Sequence, residues 1–110
     1  MIGIDIVDLT RIVDDYDKIG DRILSTNEKK QMLTYESKLS KISYVGGRFA
    51  AKEAYVKASG DKTVIFKNVE VIDDKNGKPH IYINAREVGE VSIAHDGYAI
   101  AVVNLYEENK

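Results

Sequence analysis

The chain has 110 residues, with 16 lysines and arginines against 18 acidic residues, and no cysteine. That length suits one domain, residues 1–110, with a single modest core, and a formal net charge of −2 leaves no basic excess for binding nucleic acid. The lack of cysteine excludes a disulfide framework, a thiolate nucleophile and a thiolate metal site. No run approaches the ~18 consecutive apolar residues of a membrane span, and no basic region leads into an apolar core near Met1, so a cytoplasmic protein without a membrane partner is expected.

Ile2, Ile4 and Ile6 alternate, predicting a buried strand over about 1–7. Asp5 then shares the other face with Gly3 and Val7. Asp is depleted in strands, and a buried carboxylate needs a compensating partner. Beside a glycine that leaves room above it, Asp5 is a reasonable metal ligand. On its own, a solvated or backbone-bonded aspartate is the simpler reading. Asp8 is placed to cap a short helix near 9–17, with Gly20 breaking the pattern. Ser25-Thr26-Asn27-Glu28 matches a capping box opening a second helix.

A longer helix is predicted over 37–58, stopped by Gly60. Gly46 and Gly47 inside it cost ~1 kcal/mol each relative to alanine, which predicts a kink or a very close contact. At ~3.6 residues per turn, Gly47, Ala51, Ala54 and Ala58 form a stripe no bulkier than a methyl group, so another backbone can approach. Glu53 and Lys57 stand at i and i+4 on a different face. Such a pair is usually an ordinary surface ion pair worth ~0.2–0.5 kcal/mol. The neighbouring Arg48 and Lys52 have the same spacing but like charges, an unfavourable arrangement unless an anion lies nearby. A carboxylate amid three cations suggests a site for a phosphate-rich ligand, with or without a metal ion.

Beyond Gly60 the pattern changes to strands. The segments 69–72 and 80–83 flank Asn76-Gly77, and 91–95 and 98–103 flank Asp96-Gly97, both strong hairpin turns. These four strands and the first predict an α+β fold: one long helix packed on a largely antiparallel sheet. A single proline and no low-complexity segment argue against disorder.

Four segments occur in order: Gly3-Ile4-Asp5-Ile6-Val7 with Arg11; Gly47-Arg48-Phe49-Ala50-Ala51-Lys52-Glu53-Ala54 with Lys57; Asn76-Gly77-Lys78-Pro79; and Val91-Ser92-Ile93-Ala94-His95 through Tyr98. Together they resemble the bacterial holo-acyl-carrier-protein synthases, the small 4′-phosphopantetheinyl transferases. The likeness is weak over 12–45 and 60–68. Two residues separate His95 from Tyr98 where the family usually has three, and no Gly-Thr-Gly-like loop follows Gly60.

The resemblance implies transfer of 4′-phosphopantetheine from coenzyme A to a serine of apo acyl carrier protein, in fatty acid biosynthesis. It implies Mg²⁺ as cofactor, held by Asp5 and Glu53, with Asp5, Glu53 and Lys57 as the catalytic set. Arg48, Lys52 and His95 would contact the coenzyme A nucleotide, Asn76, Gly77, Lys78 and Pro79 its adenine, and Arg11 the carrier protein. It also implies a homotrimer with active sites between subunits. Such phosphoryl transfer rests on positioning and charge stabilisation and needs no protein nucleophile.

Two other classes compete. A metal-dependent nuclease usually places lysine two residues after glutamate on a strand, whereas here lysine follows glutamate by four positions on a predicted helix. A non-catalytic module that binds coenzyme A or carrier protein would have no need of Asp5, Glu53 and Lys57 together.

Overall fold

The computed structural model describes residues 1–107. Strand β1 (Ile2–Asp8) lies antiparallel to β5 (Tyr98–Leu105), with Ile2 opposite Asn104 and Asp8 opposite Tyr98. β5 pairs with β4 (Arg86–His95), β4 with β3 (Pro79–Ile83) and β3 with β2 (Val69–Asp73), every neighbour antiparallel. The predicted antiparallel sheet is therefore present, with five strands in the order β1-β5-β4-β3-β2.

Three helices pack on it: α1 (Tyr16–Ile23), α2 (Thr26–Met32) and α3 (Lys38–Ser59). The ends of α3 are local chemistry. The Ser37 side chain accepts from the Ser40 amide, and Gly60 takes a left-handed φ of 73° as its amide donates to the Val56 carbonyl. Ala51, Ala54 and Ala58 are buried on the sheet against Val69, Val71, Ile81, Ala101 and Val103. The approach is closest at β1, where a Cβ on Gly3 would lie 2.0 Å from the Ala54 carbonyl oxygen. The Gly46-Gly47 pair resolves as close contact. The helix runs unbroken through both, and a Cβ on Gly46 would meet the Leu9 side chain.

Three expectations need correction. The isoleucine face of β1 is not buried: Ile2, Ile4 and Ile6 are 70%, 58% and 57% exposed. Alternation reports a two-residue period but not which face is covered. Here α3 takes the Gly3 side, because only glycine lets the helix backbone in. The space above Gly3 is therefore filled by α3 and not left for a ligand.

The predicted helix at 9–17 is instead a single 3-10 turn, Leu9–Arg11, capped by the Asp8 side chain through the Thr10 amide. The true helix, α1, runs through Gly20, which packs beneath Leu24 and Val45.

β4 starts five residues before the expected Val91, at Arg86. A two-residue turn precedes it, with Asn84 and Ala85 at φ 53° and 64°. Gly89 lies deep in this strand, where a Cβ would be 2.5 Å from the Asn104 carbonyl oxygen. No helix among the described residues is long and apolar enough to cross a membrane.

Candidate active site

Packing of α3 on β1 brings residues from opposite halves of the chain together. Lys57 Nζ lies 3.0 Å from Asp5 Oδ1 and 3.1 Å from the Ile4 carbonyl oxygen. Asp5 is mostly covered and Lys57 more than half exposed. Glu53 sits one helical turn before Lys57, half-buried, and its side chain makes no hydrogen bond or ion pair among the described residues. Asp5 and Lys57 thus meet where the strand and helix backbones touch, with Glu53 one turn earlier on α3.

The like-charged pair Arg48 and Lys52 is balanced by the protein's own anions. Lys52 is fully buried, and its three N–H groups go to Glu28 Oε1 at 2.7 Å, the Phe66 carbonyl at 2.8 Å and the Val69 carbonyl at 2.7 Å. No donor remains for a ligand, so the expected nucleotide contact by Lys52 is corrected: it is a strut between α2, α3 and β2. Burial pulls its ammonium below the usual lysine range, while the Glu28 carboxylate pulls the other way. Glu28 also accepts from the Ser25 amide, closing the predicted capping box, and from the Val71 amide.

Arg48 is nearly buried. Its Nε donates to the Val71 carbonyl at 2.9 Å and its Nη2 to Asp73 Oδ1 at 2.6 Å, with the guanidinium 3.9 Å above the Tyr44 ring. Burial lifts the Tyr44 hydroxyl far above the tyrosine range, so it stays a neutral donor to Gln31. Nη1 has no hydrogen-bond partner among the described residues, and Arg48 lines the adjoining cleft of ≈ 520 Å³ together with His95, Asp96 and Tyr44.

The structure leaves the other expected residues apart. Asn76, Gly77 and Lys78 lie in the β2–β3 turn, with Gly77 at φ 83°, and Pro79 opens β3. Lys78 and Pro79 line a second cleft of ≈ 610 Å³, and Asp5, Glu53 and Lys57 line neither. Arg11 ends its 3-10 turn at the surface. Sequence reasoning missed Asp73, Gln31 and Tyr44 around Arg48, and nothing local marks them. Glu28 was visible only as a cap.

Asp5 and Glu53 offer oxygen donors, and the ammonium held by Asp5 marks the pull on a cation there. No cluster of three His, Cys, Asp or Glu suited to a metal exists among the described residues. Two carboxylates alone fit magnesium, which usually completes its shell with waters and substrate phosphate oxygens, and do not fit a site closed by protein ligands.

A family model described as the 4′-phosphopantetheinyl transferase superfamily matches residues 1–103. The chain belongs to this superfamily. Among curated relatives of this phosphopantetheinyl transferase, the holo-[acyl-carrier-protein] synthase of Geobacillus sp. (strain WCH70) is 44% identical over 110 residues, covering 93% of this chain and 92% of the relative. That of Staphylococcus saprophyticus is 38% identical over 111 residues, covering 94% and 95%. A crystal structure of a holo-(acyl-carrier-protein) synthase from Bacillus anthracis, in complex with CoA (3′,5′-ADP), superposes with a TM-score of 0.82. It is 41% identical, with 94% of this chain and 93% of that one covered. The Helicobacter pylori synthase in complex with coenzyme A gives 0.80 at 31% identity, covering 96% and 100%. The transferase fold, three helices on a five-stranded antiparallel sheet, is that of these enzymes.

Proposed function

We propose that this transferase is a holo-[acyl-carrier-protein] synthase. It moves 4′-phosphopantetheine from coenzyme A to a serine of apo acyl carrier protein and releases adenosine 3′,5′-bisphosphate. One observation carries the mechanism: α3 sets Lys57 on Asp5, with Glu53 one turn away and its side chain without a partner among the described residues.

Asp5 and Glu53 would hold Mg²⁺ on the coenzyme A pyrophosphate. When bound, the ion neutralises pyrophosphate charge and acidifies a coordinated water. Glu53 would take the serine proton as the serine Oγ–P bond forms and the bond from phosphorus to the nucleotide leaving group breaks. Lys57, more than half exposed beside Asp5, contacts the transferring phosphate and offsets charge on the departing bisphosphate. Arg48 Nη1 and His95 face the nucleotide 3′-phosphate, the turn from Asn76 to Pro79 faces the adenine, and Arg11 steers the carrier protein.

Two features support a homotrimer with sites between subunits. The outer sheet face leaves Ile2, Ile4, Ile6, Ile100 and Tyr98 exposed, an apolar surface unusual for a chain this small. The three groups of site residues also lie apart within one chain, and a neighbouring copy supplies a way to unite them. Light scattering should give a mass near three times 12.3 kDa. A fully active monomer would rule the trimer out. The lack of cysteine, and of a membrane-crossing helix among the described residues, fits a cytoplasmic enzyme.

Incubation with coenzyme A, Mg²⁺ and apo acyl carrier protein should attach one phosphopantetheine per carrier, read by intact-mass spectrometry. A carrier left unmodified across several carrier proteins would sink the transferase reading. It would favour a module that binds coenzyme A or carrier protein without turnover.

A further inference from the structure

The β2–β3 turn is held by a contact that the transfer mechanism does not use. His80 follows Pro79 on β3, its side chain 26% exposed. Its Nδ1 lies 2.7 Å from Glu87 Oε2 on β4, and its Nε2 lies 2.9 Å from Asp74 Oδ2 at the base of the turn. Ionised carboxylates only accept, and a neutral imidazole has one N–H to give. Only the imidazolium satisfies both contacts.

The ring is accordingly lifted above the ordinary imidazole value, first by its hydrogen bond to Asp74 and then by that to Glu87. The bond from His80 in turn holds Asp74 below the usual carboxylate range.

Asp74 is also the anchor of the turn. Its Oδ1 accepts from the Asn76 amide at 2.8 Å and the Lys78 amide at 3.0 Å, and its carbonyl accepts from the Gly77 amide at 2.9 Å. One carboxylate thus holds the turn with one oxygen and the imidazolium with the other. Other titratable groups near the ring are Tyr82, with ring centroids 6.4 Å apart, and Lys78, Glu90 and Tyr106 in the shared cleft. On β2 the residue opposite is Ile72, which does not titrate.

We propose that His80, as imidazolium, is a positioning residue: it clamps the turn carrying Asn76 to Pro79 between Asp74 and Glu87, and relaxes its hold as the ring loses its proton. The proposal rests on the reading of that turn as the coenzyme A nucleotide contact. A deprotonated ring keeps a single N–H, so one carboxylate loses its partner and the two negative charges are no longer bridged. Because the folded ring titrates above its ordinary value, the clamp is complete at and below that value and is lost as pH rises through the folded one.

Calorimetric binding of adenosine 3′,5′-bisphosphate to the full chain from about pH 6 to about pH 9 tests this. The probe's own phosphates titrate too, so the decisive quantity is the difference between wild type and His80→Gln. Wild-type affinity should fall roughly three- to tenfold, the scale of one hydrogen bond. The step should share its midpoint with the His80 ring and the Gly77 amide in NMR titrations. His80→Gln should lack that step, and Glu87→Gln should move it to lower pH. A step retained in His80→Gln, or a Gly77 amide that ignores the ring, overturns the clamp alone. No binding by wild type at any pH overturns the coenzyme A reading of the turn together with it.

Discussion

Asp5→Ala and Glu53→Ala are each expected to slow phosphopantetheinyl transfer about 100- to 1,000-fold, the scale of losing one preorganised electrostatic element, with little change in the melting curve. Asp5 loses an ion pair to a lysine more than half exposed, and such pairs contribute at most about 1 kcal/mol. Glu53 has no partner to lose among the described residues. Neither side chain supports the core, so stability and rate should separate cleanly. Initial rates at limiting Mg²⁺, beside thermal denaturation, check the assignment. Near-normal turnover in both variants would refute it.

Lys52→Met or Glu28→Ala should do the opposite: a loss of about 3–5 kcal/mol in stability, the usual result of breaking a buried ion pair from one side. Both side chains are fully buried. Without Glu28, Lys52 faces only carbonyls, and without Lys52 the Glu28 carboxylate keeps backbone amides alone. Urea unfolding measures the loss, with Lys57→Met, expected to change by no more than about 1 kcal/mol, as the exposed control.

A pH signature follows in Glu28→Ala. Burial already lowers the Lys52 ammonium, and removal of the carboxylate lowers it further, so the folded variant sheds this proton before the unfolded chain does. The unfolded chain then binds more protons, and stability rises with pH from the depressed folded value up to the free-lysine value of ~10.4. A Lys52 variant as mild as the Lys57 control would contradict the strut.

Features set by a few adjacent residues were legible from sequence. Asn76-Gly77 and Asp96-Gly97 turn the two predicted hairpins, Ser25 and Glu28 close their box, and Ser37 and Gly60 bound α3. The turn at Asn84-Ala85 was not, because Ala85 occupies a left-handed conformation that favours glycine. Which face of β1 is buried was equally hidden, since it depends on a helix some fifty positions later.

For the candidate site, spacing placed Glu53 and Lys57 on one helix, and resemblance brought Asp5 to them. The actual partners of the neighbouring cations lie 24 and 25 residues away, Glu28 for Lys52 and Asp73 for Arg48. Local pattern could register the like charges but not what balances them.

The contact of Gly3 with the Ala54 carbonyl bears on how this protein tolerates mutation over time. Asp5 and Glu53 are neighbours of that contact in sequence, so the gap between the two carboxylates is set by backbone against backbone. Drift at Gly3, Ala54 or Ala58 would widen the gap even though none of the three bears a reactive group. The acceptable alphabet at these positions should therefore be as narrow as at the carboxylates themselves. A library screened for function would record intolerance there that a survey of chemically active side chains would not anticipate.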